Sequence, residues 1–490
     1  MRASGILMHL SSLPSDHGIG TLGKAAYDFV DFLEQAGQRY WQILPVGPTS
    51  YGDSPYQSFS IHAGNPYFID LDMLEQKGWL KEEEYRALDW GTKGVDYALL
   101  YEQRFPVLRL AFERFLEKSG PGFEAFLQEN DHWISNYGLF MSIKEAHQGA
   151  PWWTWEEGLR FRDPHALWMF REEHGQDVLF WEFLQYAFFE QWDGLKSYAN
   201  QKGIKIIGDI PIYVAQDSAD VWVYPDLFEL DENLLPTQVA GCPPDAFSPD
   251  GQLWGNPLYR WERLRETHYD WWVERLKSAI SIYDVVRIDH FRGFESYYAI
   301  PAADTTAAHG HWQQGPGIEL FEVLQQRLGD LPVIAEDLGF LTPPVKEMLQ
   351  KSGFPGMKVL EFAFDPREES DYLPYRYGKN CVVYPGTHDN NTVLGWAEEL
   401  DAQSLRFCMD FLDTTSLKSL AWKMIRLAMS SVAETAIIQM QDYLELGSSA
   451  RMNIPSTVGG NWCWRAGKQD FSPALAEKIA NVTKLYGRHT

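Results

Sequence analysis

The chain has 490 residues, of which 45% are hydrophobic and 22% charged, a composition typical of a globular protein. Its 68 acidic and 42 basic residues give a formal net charge of −26 at pH 7. A surface with this negative charge repels phosphate backbones and anionic lipid headgroups. We therefore expect neither nucleic acid nor a membrane as a partner. The sequence has no apolar run of membrane-spanning length and no signal peptide at its N-terminus, which predicts a cytoplasmic protein.

Eight short apolar runs recur along the chain, each ending at or near a polar or charged residue. Near-continuous apolar runs are typical of strands that are buried on both faces of a parallel sheet. The predicted strands cover residues 5–10, 40–46, 204–211, 283–290, 331–337, 358–362, 381–389 and 436–442.

Helical patterns fill several gaps between these strands. Apolar residues recur at spacings of three and four within 26–36 and within 320–328, and Thr342 with Pro343 begins a helix that Gly353 ends. Buried strands alternating with helices predict an α/β fold, a (β/α)8 TIM barrel. The alternative is a doubly wound open sheet, which is disfavoured because no GxGxxG sequence follows the first strand.

Two gaps are too long for a single crossover helix. Residues 48–203, between the second and third strands, are rich in helical patterns and in tryptophan, and we expect inserted helical subdomains there. Residues 215–264, between the third and fourth strands, combine Pro/Gly-rich sequence with a helix and predict a cleft loop. The whole chain, 1–490, is then one catalytic barrel with largely helical insertions.

Four carboxylates stand at the ends of predicted strands. Asp209, Asp289, Glu336 and Asp389 follow the third, fourth, fifth and seventh strands, where barrel enzymes place their catalytic groups. Carboxylates crowded together cannot all ionise at their usual pKa, so we expect at least one to stay protonated. One protonated and one ionised carboxyl is what glycoside cleavage requires.

Basic and aromatic side chains adjoin these acids. Arg287 and Asp289 lie two residues apart on one strand, so both side chains are expected on the same face. A neighbouring guanidinium favours the ionised form of Asp289, as a nucleophile needs. His290 and His388 can donate hydrogen bonds to sugar hydroxyls.

Other chemistries are disfavoured by missing patterns. The sequence has no HxH or HExxH spacing, no phosphate-binding GxxxxGK[ST] loop and no GxSxG nucleophile elbow. The cysteines are far apart and form no CxxC pair, so neither a zinc site nor a disulfide framework is indicated. We therefore expect no metal and no cofactor. The cysteines are Cys242, Cys381, Cys408 and Cys463.

The motifs around these residues resemble those of the 4-alpha-glucanotransferases, also called amylomaltases or disproportionating enzymes, which are relatives of the alpha-amylase superfamily. The similarity is carried by Arg-Ile-Asp-His at 287–290, Ala-Glu-Asp-Leu-Gly at 335–339 and Thr-His-Asp-Asn at 387–390. It extends in the family's order over nearly the whole chain. Further matching motifs lie at 11–15, 18–20, 54–58, 64–66, 208–214, 255–259, 451–453 and 460–462.

The resemblance implies a retaining mechanism in which Asp289 is the nucleophile, Glu336 the general acid/base and Asp389 a ligand of sugar hydroxyls. The carboxyls of Asp289 and Glu336 are then expected roughly 5–5.5 Å apart. The implied activity moves alpha-1,4-glucan segments between maltooligosaccharides or starch-like chains with release of glucose. A retaining alpha-glucan hydrolase is the alternative. A non-catalytic glucan-binding protein would need a damaged set of acids, and all three are present.

The resemblance also implies a set of substrate-binding residues. A loop over the cleft matches 241–252, where Ala246 replaces the aromatic residue of many members, which bears on the ratio of transfer to hydrolysis. Tyr51 is expected at a second glucan contact outside the cleft. A barrel of this size can work as a monomer or a weak homo-oligomer. The residues expected to bind substrate are Ser54, Tyr56, Asp209, Asp245, Phe247, Gln252, Trp254, Arg287, His290, Asp365, His388 and Asn453.

Overall fold

The computed structural model describes residues 2–50, 52–91, 94–117, 120–244, 249–339 and 341–489. All eight predicted strands are present in it, together with others that the sequence patterns did not predict. The strands are β1 Ala3–Leu7, β2 Tyr40–Gln42, β3 Lys205–Ile210, β4 Gln238–Cys242, β5 Gln252–Pro257, β6 Val285–Ile288, β7 Ser296–Pro301, β8 His311–Gln314, β9 Val333–Ala335, β10 Gly356–Val359, β11 Cys381–Tyr384 and β12 Thr435–Gln439.

Helices occupy most of the remaining chain. None of those in the described ranges combines the length and apolar character needed to cross a lipid bilayer. The helices are α1 Lys24–Gln35, α2 Leu71–Gln76, α3 Tyr97–Glu117, α4 Pro121–Glu129, α5 Ile134–Ala146, α6 Glu157–Arg160, α7 Pro164–Gln201, α8 Ala219–Val223, α9 Trp261–Glu266, α10 Asp270–Ile282, α11 Ile318–Leu328, α12 Pro343–Ser352, α13 Val393–Glu399, α14 Ala402–Phe411, α15 Leu420–Ser430, α16 Met440–Tyr443 and α17 Pro473–Leu485.

The central sheet is the predicted barrel. Its eight parallel strands lie in the order β10-β11-β12-β1-β2-β3-β6-β9, so the first strand of the chain pairs with the last. The two end strands β9 and β10 are bridged where the Ala335 amide donates a hydrogen bond of 2.9 Å to the Pro355 carbonyl. This cyclic order confirms the (β/α)8 fold and brings the C-terminal ends of the strands to one mouth.

Local sequence explains where the crossover helices begin and end. Helix α12 has Thr342 at its N-cap and proline in its first turn, where the missing N–H has no helical partner to lose. It ends at Gly353, whose φ of 73° is the left-handed conformation that glycine adopts without strain. The barrel strands are largely buried on both faces, as β1 illustrates: each of its residues is buried.

A second sheet lies beside the barrel, and the sequence patterns did not predict it. It is antiparallel, in the order β5-β4-β7-β8. Strands β4 and β5 form a hairpin within 215–264, where we had expected loop and helix, and β7 and β8 come from the connection between barrel strands β6 and β9. The hairpin carries Gln252 and Trp254 toward the mouth of the barrel.

The long connection between β2 and β3 contains α2 to α7. Polar contacts hold these helices to one another and to the barrel. Gln185 of α7 accepts a hydrogen bond of 2.7 Å from the Gly64 amide within the same connection, and the Trp192 indole of α7 donates one of 3.1 Å to the Ile282 carbonyl at the end of the barrel helix α10. The division of the chain into a barrel and inserted subdomains at 48–203 and 215–264 stays a prediction.

Candidate active site

Strand register brings the first three predicted carboxylates to one edge. Asp209 of β3 lies opposite Arg287 of β6, and Ile288 of β6 lies opposite Ala335 of β9. Asp289 and Glu336 each follow that last pair, so both leave the barrel at its C-terminal rim. The Asp289 amide donates to the Ile210 carbonyl at 2.9 Å, and the Glu336 amide to the Ile288 carbonyl at 3.0 Å, which extends the ladder to the acids themselves.

The Arg287 guanidinium joins two of these carboxylates. Its Nη1 lies 2.5 Å from Oδ2 of Asp209, and its Nη2 lies 2.9 Å from Oδ1 of Asp289. The expected same-face arrangement of Arg287 and Asp289 is therefore present. Only 3% of the Arg287 side chain is exposed, so it acts on the cleft through Asp289.

Asp209 differs from its expected place among the sugar ligands. Its side chain has no exposed surface, because Arg287 and Tyr56 cover it. The Tyr56 hydroxyl donates a hydrogen bond of 2.9 Å to Oδ2 of Asp209. In this structure Asp209 thus orients Arg287 and Tyr56 instead of facing the cleft, a correction to the sequence interpretation.

Glu336 is held by backbone amides. Its Oε2 accepts a hydrogen bond of 2.7 Å from the His290 amide, and its Oε1 accepts one of 2.9 Å from the Leu338 amide. His290 has the left-handed φ of 52°, which aims its N–H at the carboxylate. Burial, reinforced by the negative charge of Asp289, raises the pKa of Glu336 above its usual range despite these amides.

Asp289 experiences two opposing effects. Burial, together with the charges of Asp209 and Asp389, raises its pKa to about 6, while the Arg287 guanidinium at contact distance opposes this rise by favouring the charged form. Glu336 gains its hydrogen bonds from neutral amides, whereas Asp289 has a cation beside it. When the two acids hold one proton between them, the geometry therefore places it on Glu336 and leaves Asp289 ionised.

Asp389 has a different environment on the opposite side of the mouth. Asn453 Nδ2 donates a hydrogen bond of 2.7 Å to its Oδ1, and His388 Nε2 lies 3.3 Å from its Oδ2. Burial alone would raise the pKa of Asp389, but His388, Asn453 and Arg287 together hold it well below its usual range. Asp389 is therefore ionised across the physiological pH range.

Two aromatic pairs flank the acids. The Tyr56 ring stacks on His388 with centroids 5.3 Å apart, and the Tyr56 hydroxyl lies 2.7 Å from His388 Nε2. On the other side, Trp254 meets the His290 ring edge-on at 4.8 Å. Burial lowers the pKa of His290 to about 3, so its ring is neutral at pH 7. Rings of this kind offer flat faces to sugars.

Two further residues predicted to bind substrate are hydrogen-bonded to Trp254 and Tyr56. The Gln252 side-chain oxygen accepts a hydrogen bond of 3.1 Å from the Trp254 indole, which fixes the indole's orientation. Ser54 Oγ accepts one of 3.3 Å from the Tyr56 amide. Both are therefore next to the residues expected to stack on sugars.

Asp365 is bonded to Arg367, with Oδ2 2.7 Å from Nη2 of this exposed guanidinium, and its role as a hydroxyl ligand stays a prediction. Asp245 and Phe247 lie outside the described residues, as do Tyr51 and Ala246. The cleft-loop predictions at these positions therefore stay predictions.

Sequence reasoning missed other contributors. Arg451 donates a hydrogen bond of 2.9 Å to the Asp389 carbonyl, and its place two residues before Asn453 in one motif was an available signal. The amides that bind Glu336 carry no such signal, because any residue supplies an amide. No group of three or more His, Cys, Asp or Glu side chains in the described ranges is arranged to hold a metal ion.

Comparison with known proteins agrees with this geometry. A family model described as 4-alpha-glucanotransferase matches residues 8–469. The chain is 49% identical over 485 residues to the 4-alpha-glucanotransferase of Clostridium butyricum, covering 98% of this chain and 100% of that protein. It is 47% identical over 498 residues to that of Thermus thermophilus, covering 99% of each.

Solved structures extend the comparison. The amylomaltase of Streptococcus agalactiae in complex with acarbose superposes with a TM-score of 0.98 at 43% identity, covering 100% of both chains. The amylomaltase of Corynebacterium glutamicum shares the fold, with a TM-score of 0.79 at 19% identity, covering 98% of this chain and 75% of that one. By its family model, its relatives and its fold, the chain belongs to the 4-alpha-glucanotransferase family of glycosyltransferases.

Proposed function

We propose that this enzyme moves alpha-1,4-glucan segments between maltooligosaccharides or starch-like chains, releasing glucose, by retaining double displacement through a glycosyl–Asp289 intermediate. The observation that carries the proposal is the difference between the environments of two neighbouring acids, Asp289 and Glu336. Asp289 contacts the Arg287 guanidinium at 2.9 Å, whereas Glu336 accepts hydrogen bonds from neutral backbone amides and has the higher of the two raised pKa values, about 7 against about 6. An anion beside a proton donor is the pair that glycosyl transfer needs.

In the first step, an oxygen of Asp289 attacks the anomeric carbon of the donor. The glycosidic C–O bond breaks as a C–O bond to Asp289 forms, and the proton of Glu336 passes to the leaving oxygen. Starting from maltotriose, the leaving group is glucose when a maltosyl unit is transferred. Asp389 and Asn453 hold hydroxyls of the donor sugar, and the negative charge of Asp389 stabilises the cationic transition state.

In the second step, Glu336 acts as the base. It takes the proton from the 4-hydroxyl of an acceptor glucan, whose oxygen attacks the anomeric carbon and releases Asp289. Two displacements on one carbon retain its configuration. Trp254 and His290 form the wall on which the acceptor sugar stacks, and a well-held acceptor competes with water for the intermediate.

Incubation with maltotriose tests the activity directly. We expect a ladder of longer maltooligosaccharides plus glucose, at a constant number of reducing ends. Asp289→Asn should abolish the ladder, whereas the matched control Asp28→Asn, an exposed helical carboxylate 2.6 Å from Lys24, should leave it unchanged. Glucose and maltose with rising reducing ends would instead identify the hydrolase alternative.

A second assay tests the intermediate. Alpha-maltosyl fluoride needs little acid assistance to lose fluoride, so Glu336→Gln should form the glycosyl ester but fail to activate the acceptor that removes it. Mass spectrometry of a peptic digest should then find one maltosyl unit on the peptide that contains Asp289. A maltosyl unit on any other peptide, or β-configured products, would contradict the proposed mechanism.

A further inference from the structure

A pair of buried carboxyls lies behind the active site and takes no part in the chemistry above. Glu361 follows β10 and is 6% exposed, while Asp442 lies in α16 after β12 and is 1% exposed. Strand β11 lies between β10 and β12 in the barrel. The two acids therefore flank the strand that leads into residues 385–391, which carry His388 and Asp389 and are called the His388 loop below.

Glu361 touches the backbone of the His388 loop. Its amide donates a hydrogen bond of 3.0 Å to the Pro385 carbonyl. A Cβ built on Gly386 would lie only 2.6 Å from Glu361 Oε1, so glycine is what lets the carboxyl approach so closely. The same hypothetical Cβ would lie 3.1 Å from Asn390 Cβ, so Gly386 is packed closely between Glu361 and the far side of the turn.

A negative charge on Glu361 or Asp442 would have few partners to stabilise it. Glu361 Oε1 and Asp442 Oδ2 have no hydrogen-bond partner among the described residues, although Asp442 Oδ1 accepts from the Val393 amide at 2.8 Å. The ionisable groups facing Glu361 are Asp442, Glu399 and Arg451, two acids against one base. Arg451 is already bonded to the Asp389 carbonyl.

The electrostatics agree with this geometry. Burial, together with the nearby Asp442, raises the pKa of Glu361 well above its usual range. Burial also raises the pKa of Asp442 to about 7. An unpaired buried charge is costly, and a carboxyl in such a place keeps its proton.

We propose that Glu361 is protonated in the working enzyme and acts as a positioning residue for the His388 loop. Uncharged, it packs against Gly386 without adding a second negative charge near Asp389. It also leaves Arg451 free to hold the Asp389 carbonyl. The role is indirect, through the placement of His388 and Asp389, and to that extent it rests on the function proposed for those two residues.

Glu361→Gln and Glu361→Ala separate charge from shape. Glutamine has the shape of a protonated glutamate and cannot ionise, so we expect kcat and KM of maltotriose transfer within twofold of the wild type. Alanine leaves a gap under the loop and should lower kcat at least tenfold with a smaller change in KM. A loss in Glu361→Gln as large as that in Glu361→Ala, or full activity of Glu361→Ala, would overturn the proposal.

Infrared spectroscopy tests the proton without relying on activity. In a Glu336→Gln background at pH 8, the carbonyl stretching band of a protonated carboxylic acid should weaken when Glu361→Gln is added. The control Glu347→Gln, on an exposed carboxylate of α12, should not change that band. An unchanged band in the Glu361→Gln protein would overturn the proposal even if the roles of His388 and Asp389 hold. If His388 and Asp389 did not have the proposed roles, the band would still weaken in the Glu361→Gln protein, so the two failures are distinguishable.

Discussion

Glu336 and Asp389 are carboxylates of one barrel mouth whose pKa values move in opposite directions. Glu336 is bonded to two neutral amides, and Asp289 adds a like charge beside it. Asp389 instead has His388 at 3.3 Å and the Asn453 amide at 2.7 Å. The difference shows that the partners of a carboxylate, and not its residue type or its place at a strand end, decide whether it holds a proton.

The largest effect is expected from removing the proton donor. Glu336→Gln should lower the rate of maltotriose transfer by about 10²–10⁴-fold, the usual contribution of a general acid or base. Initial rates of glucose release measure it. The alkaline limb of the pH–rate profile, which in the wild type lies well above the pKa of an ordinary glutamate because the pKa of Glu336 is raised, should disappear. A loss smaller than tenfold would assign the proton to another group.

A smaller effect is expected on the other side of the mouth. Asp389→Asn removes the charge that His388 and Asn453 hold, and we expect transfer to fall about 10–100-fold, since hydrogen bonds to charged groups contribute about 1.5–3 kcal/mol. Asn453→Ala should cost less than Asp389→Asn because it removes one donor and keeps the charge. Steady-state kinetics with maltotriose compare the two. Equal losses would mean that the charge of Asp389 contributes nothing beyond that bond.

The pH dependence of stability sharpens the comparison. Because the pKa of Glu336 is raised on folding, the wild type loses stability as pH rises from 4.5, the ordinary pKa, to about 7, the raised one. The glutamine of Glu336→Gln cannot ionise, so the free energy of unfolding of this variant should increase relative to that of the wild type as pH rises across this range. The lowered pKa of Asp389 gives stability that is present above the unfolded pKa and lost as pH falls, so the deficit of Asp389→Asn should shrink toward low pH. Urea unfolding of each protein measures both trends, and parallel trends for the two variants would refute the contrast.

The smallest effect is expected at Asp365. Its carboxylate pairs with an Arg367 side chain that is 65% exposed, and solvent screens the attraction in such an exposed pair. Asp365→Asn should change kcat/KM for maltotriose less than about twofold. The sequence resemblance implies a hydroxyl ligand at this position, and a tenfold loss would support that role.

Sequence patterns predicted the barrel but not the sheet beside it. The eight barrel strands are nearly continuous apolar runs, and being buried on both faces gives them a signal that does not depend on their neighbours. Strands β4 and β5, Gln-Val-Ala-Gly-Cys and Gln-Leu-Trp-Gly-Asn-Pro, mix polar residues, glycine and proline. Among the described residues, strand β5 pairs only with β4, in a hairpin, and β4 also pairs with β7, nearly sixty residues away, and such a distant partner leaves no local pattern.

The candidate site was predicted unevenly for similar reasons. Strand ends located Asp289, Glu336 and Asp389, because residues just after a parallel strand meet at one rim. The same rule could have indicated Glu361 and Asp442, which also close apolar runs, but nothing local told a buried carboxyl from one that faces the cleft. Asp209 shows the same limit, since only the packed structure reveals that Tyr56 and Arg287 cover it.

The pairing of β1 with β12 has a consequence for synthesis. Ala3 lies opposite Thr435, so β1 must wait for about 430 more residues before its second neighbour exists. At about 5–20 residues per second, the ribosome takes on the order of half a minute or more to supply it. Throughout that interval one edge of a strand that is buried in the finished barrel is unpaired, the condition under which nascent chains associate with one another. We therefore expect the closure of the barrel, when β12 pairs with β1, to be a step at which chaperones protect this chain from aggregation.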